Sequence, residues 1–386
     1  GLLAGSYTLT EANSDGWELR NSTCTSSKGN SENPASINLD SGEIVTCTFT
    51  NVRQTAKLTL VKDVMNDNGG NAGANDFGIS VNGAVVASGA KGTYTTGQPL
   101  TINETGKTGY KFVSITGDSK CPSVLGGTIT LAPGDDITCT IKNDDIAPKL
   151  QLVKKVENDN GGTLSETDWN LTADGPTPIS GYGGVTSGDG FQAGTYTLSE
   201  TGKEGVDVSG YEASDWNCTN NVLVDENNGI TLGVGQSTVC TITNNDIAPK
   251  LTVTKVVENG QFGTKTVSDF PLFVGNTQVT SGQQNTFNVG DYIVSETNPE
   301  DSGYTTTFSG DCDSNGNISL EIGDEKACTI TNTSNWGKII INKVTNPEKD
   351  QKFDFTGDLS GSIGNGEKIE KIVLPGEYTS DESVPE

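Results

Sequence analysis

The residues of this chain with chemistry to offer are lysines, glutamates and asparagines that return at fixed places. Five short stretches end in a glutamate: Tyr7-Thr-Leu-Thr-Glu11, Leu100-Thr-Ile-Asn-Glu104, Tyr196-Thr-Leu-Ser-Glu200, Tyr292-Ile-Val-Ser-Glu296 and Tyr378-Thr-Ser-Asp-Glu382. Side chains alternate faces along a strand, so Tyr196, Leu198 and Glu200 share the apolar side. A carboxylate there needs a partner, because an isolated buried charge is costly. Alternation supplies two. Leu150, Leu152 and Lys154 share a face of an earlier strand, and Cys240, Ile242 and Asn244 share a face of a later one. Lys62, Glu104 and Asn143 repeat this arrangement, as do Lys255, Glu296 and Asn332. Glu11 and Asn51 lack a matching lysine, and Lys343 and Glu382 lack a matching asparagine.

Other chemistry is excluded by composition. Histidine is absent, so no Ser-His-Asp or Cys-His constellation and no histidine zinc site can form. A net charge of -26 argues against nucleic acid and against an anionic membrane surface. No apolar run reaches membrane-spanning length, and no signal peptide opens the sequence.

The elements that must position these residues recur with them. The strand Lys57-Leu-Thr-Leu-Val-Lys62 returns as Lys149–Lys154, Lys250–Lys255 and Lys338–Lys343, roughly 90–100 residues apart, the length of a whole domain rather than of a solenoid unit. A polar turn follows, then an acidic-aromatic pair (Asp76-Phe77, Asp168-Trp169, Asp269-Phe270), the glutamate strand, and an aromatic opening the next strand (Trp17, Tyr110, Tyr211, Tyr304). The last strand is nearly constant: Cys47-Thr-Phe-Thr-Asn51, Cys139-Thr-Ile-Lys-Asn143, Cys240-Thr-Ile-Thr-Asn244 and Cys328-Thr-Ile-Thr-Asn332. Short strands with Gly, Asn and Asp turns predict all-β, tandem immunoglobulin-like sandwiches in an elongated array. The expected divisions are a partial repeat over 1–55, full repeats over 56–147, 148–247 and 248–334, and a partial repeat over 335–386. Both ends carry a glutamate strand, which reads as a segment of a longer array. Completion of one chain's first repeat by another chain's last would have to explain the duplicated strand.

Eight cysteines fall two to a repeat, as Cys24/Cys47, Cys121/Cys139, Cys218/Cys240 and Cys312/Cys328. None has the spacing of a metal-binding CxxC pair, so one disulfide per domain in an oxidising compartment is expected; buried reduced thiols are the alternative.

The pattern resembles the prealbumin-like, SpaA/Cna-B-type repeat domains of bacterial surface proteins and pilins. The lysine strand, the Tyr-x-Leu-x-Glu strand followed by Gly-Tyr, and the terminal asparagine carry the likeness along essentially the whole chain. The resemblance implies that the lysine attacks the asparagine amide, forms an isopeptide bond and releases ammonia, with the glutamate assisting proton transfer. By position the sets are Lys62, Glu104 and Asn143; Lys154, Glu200 and Asn244; and Lys255, Glu296 and Asn332. Burial favours the neutral lysine such an attack needs. A buried Lys–Glu ion pair hydrogen-bonded to asparagine is the alternative.

Weaker signals remain. The loops Asn66-Asp67-Asn68-Gly-Gly70 and Asn158-Asp159-Asn160-Gly-Gly162 offer oxygens at alternate positions, which suits calcium, but ordinary polar turns look the same. The junction acids Asp144, Asp145 and Asp246 are a second cation candidate or simply solvated linker residues. N-x-Ser/Thr occurs at Asn21, Asn103, Asn170, Asn217, Asn317 and Asn332. The expected protein is extracellular and on a microbial cell surface: a stalk or pilus-like filament subunit, not an enzyme, that self-assembles or continues covalently into a longer array. A ligand-binding adhesin is one alternative, with a host, matrix or cell-surface ligand and Gly181-Tyr-Gly-Gly184 as its nearest candidate insert. Spacer repeats of a larger surface enzyme are the other.

Overall fold

The structure is a computed structural model and describes residues 1–297, 303–348 and 350–383. Backbone contacts divide it into two compact units, Gly1–Val153 with Leu171–Glu200 and Trp216–Thr241, and Lys154–Asn170 with Thr201–Asp215 and Ile242–Glu386. The first contains one complete sandwich and the second contains another; the strands of residues 148–247 run through both.

In the first unit, the lysine strand Thr55–Met65 forms because β-branched and apolar residues alternate along it with polar ones. Ala56, Leu58, Leu60 and Lys62 all point inward. Its sheet runs Tyr110–Gly117, Asp136–Asp145, Thr55–Met65, Lys91–Thr95. The facing sheet runs Thr128–Thr130, Pro99–Thr105, Gly78–Val81, Ala84–Val85. Leu58, Leu60, Ile79, Ile102, Ile129 and Ile141 fill the space between. Asp136–Asp145 is antiparallel to Tyr110–Gly117 but parallel to Thr55–Met65, with Ile141 opposite Lys62 and Asn143 opposite Val64.

The second unit repeats this plan in Lys250–Glu258 and Glu325–Ser334, parallel with Ile330 opposite Lys255 and Asn332 opposite Val257. Gly290–Glu296 carries the glutamate on the facing sheet.

The terminal stretches form half-sandwiches. Trp17–Ser26 pairs with Val45–Arg53, and Gly337–Asn342 pairs with Lys368–Val373. The first glutamate stretch departs from expectation. Its strand is only Gly5–Tyr7, paired with Ile37–Leu39, and Glu11 lies beyond it. In the complete sandwich Glu104 is held by pairing with Ile79 on Gly78–Val81; among the described residues no strand pairs with the backbone at Glu11.

Candidate functional site

The parallel pair sets up the first site. Lys62 and Asn143 are diagonal neighbours on one face, within reach of long side chains. Lys62 Nζ donates to Asn143 Oδ1 at 2.6 Å and to the Ile141 carbonyl at 3.3 Å. It stands 3.0 Å from Glu104 Oε2, and Glu104 Oε1 accepts from Asn143 Nδ2 at 2.6 Å. The three groups close a ring of contacts. The Lys62 and Glu104 side chains are 0% and 1% exposed. Burial pushes the Lys62 amine below the ordinary lysine value, while the hydrogen bond and charge of Glu104 oppose the shift. That raises the share of neutral, nucleophilic amine.

In the second unit, Lys255 Nζ lies 2.6 Å from Glu296 Oε2, with side chains 0% and 4% exposed. Burial again pushes the amine down, against the opposing contact with Glu296. Glu296 Oε1 accepts from Thr306 Oγ1 at 2.9 Å, and Asn332 is fully buried with neither amide atom hydrogen-bonded among the described residues. Lys154 and Asn244 are each 3% exposed, at matching places on their strands, and Glu200 is half-buried. The incomplete sets form pairs: Asn51 Nδ2 donates to Glu11 Oε1, and Lys343 Nζ donates to Glu382 Oε1.

Sequence reasoning saw the acidic-aromatic pairs without their role. Asp76 closes a 3-10 turn, Ala74–Asp76, by accepting the Gly73 N–H at 2.8 Å. The turn sets Phe77 under Lys62, ring centroid 4.4 Å from Nζ. Trp169 and Phe270 lie under Lys154 and Lys255 at 4.7 and 4.8 Å. Tyr110, Tyr211 and Tyr304 pack edge-on against those rings. The signal was present: an aromatic recurring directly after an acid in every complete repeat.

Of the junction acids, Asp145 and Asp246 are not solvated linker residues. Asp145 is 0% and Asp246 2% exposed, and both accept backbone N–H groups of the Asn-Asp-Asn-Gly-Gly loops. Burial pushes Asp246 up, but the Gly162 N–H and the Asn160 amide outweigh it and hold the carboxyl below its ordinary value. The loop asparagines are engaged too. Asn66 Oδ1 accepts from Tyr110 and Asn158 Oδ1 from Tyr211, each at 2.6 Å. Asp67, Asp144 and Asp145 bring carboxylate oxygens within 4.8 Å of one another. The other loop has Asp159 and Asp246, but Asn245 takes the place of Asp144, so the trio is not repeated.

All eight cysteines pair as expected, Cys24–Cys47, Cys121–Cys139, Cys218–Cys240 and Cys312–Cys328. Such bonds persist outside the reducing cytosol. Asn332 is too buried to accept a glycan. The Gly181–Gly184 insert is edge structure: Gly184–Thr186 pairs with the lysine strand, Val185 opposite Leu152. A Cβ on Gly184 would stand 2.7 Å from the Leu152 carbonyl oxygen, which explains the glycine. Among the described residues no helix is long and apolar enough to cross a membrane.

These are tandem all-β domains; each complete repeat carries one disulfide and buries its lysine and asparagine, with the glutamate on the facing sheet. The chain belongs to the family of the prealbumin-like fold domain, whose profile matches residues 1–49, 53–141, 145–242 and 246–330. No curated protein matches the sequence. Among solved structures, the Bacillus anthracis TIE protein is 14% identical over 88% of this chain and 65% of its own, with a TM-score of 0.38; the chain thus spans just under two thirds of that protein. The two B repeat units of the Staphylococcus aureus collagen binding protein are 13% identical over 86% of this chain and 93% of theirs, TM-score 0.21. The Streptococcus pyogenes major pilin (T-13) is 15% identical over 49% of this chain and 98% of its own, TM-score 0.22.

Proposed function

We propose that this chain is the structural part of a microbial cell-surface stalk or pilus-like filament. Its units are the repeats 56–147, 148–247 and 248–334, with partial repeats over 1–55 and 335–386. Lys62–Asn143, Lys154–Asn244 and Lys255–Asn332 close each complete repeat by an isopeptide bond. The observation that carries this is the ring of contacts among Lys62, Glu104 and Asn143 in a site closed to water.

The step balances without a co-reactant. The neutral Lys62 amine adds to Asn143 Cγ. Glu104 takes a proton from the incoming nitrogen and delivers one to the departing amide nitrogen, which leaves as ammonia. Fixed contact between the groups supplies the effective molarity. Each chain performs the step once per site, so the role is construction, not turnover.

The test is the intact mass before and after reduction, followed by peptide mapping. One ammonia lost per complete repeat, persisting after reduction, with Lys62–Asn143 cross-linked peptides, is the expected result. A mass accounted for by disulfides alone sinks the bond and leaves buried ion pairs in disulfide-stapled domains. A ligand-binding adhesin is tested separately by binding of the intact chain to matrix proteins and glycans.

A further inference from the structure

The loops after the lysine strands are fastened from inside their own repeat and used by the next one. The Asp145 carboxylate accepts the N–H of Asn68 at 3.0 Å and of Gly70 at 2.7 Å. Asp246 accepts those of Asp159 at 3.1 Å, Asn160 at 3.0 Å and Gly162 at 2.6 Å. Each loop, so held, presents one carbonyl outward. Asn68 O accepts the N–H of Ala193 at 2.7 Å, and Asn160 O accepts that of Val289 at 2.9 Å. Ala193 and Val289 hold the same place one repeat further on, three residues before Tyr196 and Tyr292. The approach is close. A Cβ on Gly69 would stand 2.7 Å from the Ala193 carbonyl oxygen, and one on Gly161 2.7 Å from Val289 Cβ.

A second bridge accompanies each contact. The Ile146 N–H donates to Gly109 O in its own repeat at 2.9 Å, and Ile146 O accepts from Gly235 N in the next at 2.7 Å. Ile247 does the same with Gly210 and Gly323, at 2.9 and 2.8 Å.

The last junction is built from different residues at both key places. Ser334 stands where the other repeats have Asp145 and Asp246, counted from the strand asparagine. Pro375 stands where they have Ala193 and Val289, counted from the tyrosine of the glutamate strand. Serine brings no carboxylate to hold several N–H groups, and proline has no N–H to give. The fastener and the donor change together.

We propose that loops 66–70 and 158–162 are docking surfaces whose occupant is the next copy of the same repeat. That copy is recognised by a backbone N–H three residues ahead of its tyrosine. Asp145 and Asp246 are positioning residues of these docks, and the junction with Ser334 and Pro375 is made without one.

Two substitutions that the chain itself uses test this, D145S and A193P, read by NMR on the intact protein. In the unmodified chain the Ala193 and Val289 amides are protected from exchange. D145S speeds exchange at Ala193 about tenfold, as expected for one lost hydrogen bond, and leaves Val289 unchanged. A193P removes the donor and leaves the loop and its fastener Asp145 unchanged in sequence. It leaves the Asn68 and Gly70 amides protected while the relaxation of Leu60 and Leu198, one in each neighbouring repeat, ceases to match. An unprotected Ala193 amide in the unmodified chain overturns the proposal. So does relaxation that A193P leaves unchanged, and that result decides the matter even if D145S fails to fold.

Discussion

Lys62 and Lys343 meet the same kind of partner in different surroundings. Each pairs with a glutamate and sits over an aromatic ring, Phe77 at 4.4 Å and Phe353 at 3.7 Å. Yet the Lys62 and Glu104 side chains are 0% and 1% exposed, and those of Lys343 and Glu382 are 15% and 30% exposed. The difference is a strand. Asp136–Asp145 lies along Thr55–Met65 and brings both the asparagine and a wall of Ile137, Cys139 and Ile141. Among the described residues Gly337–Asn342 is paired with Lys368–Val373 alone. A lysine and a glutamate thus find each other in half a sandwich, but only the closing strand makes their site dry.

The largest test of that contrast removes the acid. In an Asn143→Ala background, which cannot cross-link, Glu104→Ala strands a buried ammonium and costs about 3–5 kcal/mol, read as faster native-state hydrogen exchange at Leu60 and Ile141. Glu382→Ala, in a wetter site, costs about 0–1 kcal/mol. Equal losses would break the comparison. Next in size is the staple beside the dry site. Replacing Cys121 and Cys139 by serine costs about 3 kcal/mol in the chain-entropy picture, by the same readout. Smaller again is the ring. In the same Asn143→Ala background, where Lys62 keeps its amine, Phe77→Leu loses, beyond packing, a desolvated cation–π contact of about 2 kcal/mol, against about 0.5–1 kcal/mol for Phe353→Leu.

The finest test is pH. In Asn143→Ala, which cannot cross-link, Lys62 stays titratable and its Nζ resonance should reach its midpoint below the ordinary value of about 10.4. The folded pKa is the lower one, so between it and the unfolded value the unfolded chain binds the extra proton. Stability should therefore rise with pH across that window. A midpoint at or above the ordinary value would show that the acid outweighs burial.

Much of this site was legible because alternation along a strand is pure geometry. Lys62, Glu104 and Asn143 could be placed inward by counting in twos. The same count puts Asp145 inward after Ile141 and Asn143, although its place at a junction suits a cation ligand or a solvated linker acid equally. What counting could not reach is the pose of the amide. Asn143 and Asn332 follow the same Cys-Thr-Ile-x pattern, yet one is hydrogen-bonded to lysine and acid and the other is not. Opposite them across the sheet stand Phe112 and Thr306, and the Thr306 hydroxyl takes up an oxygen of Glu296. That choice belongs to a neighbour distant in sequence. Pairing likewise decided Glu11: its residues fit the strand pattern, but among the described residues no strand lies beside it.

The parallel pairing of Thr55–Met65 with Asp136–Asp145 has a mechanical corollary. These are the outermost strands of the repeat in sequence, and they are neighbours running in one direction. Tension along a tandem chain enters at the start of the first and leaves at the end of the last. Strands gripped in this way are sheared, so the ladder from Lys57 to Met65 resists as a whole, whereas a hairpin pulled at its ends unzips rung by rung. Lys62 and Asn143 lie near the exit, 81 positions apart, and that length of chain drawn straight would measure about 270 Å. All of it hangs off the line of force as slack, shielded by the ladder and by whatever ties Lys62 to Asn143.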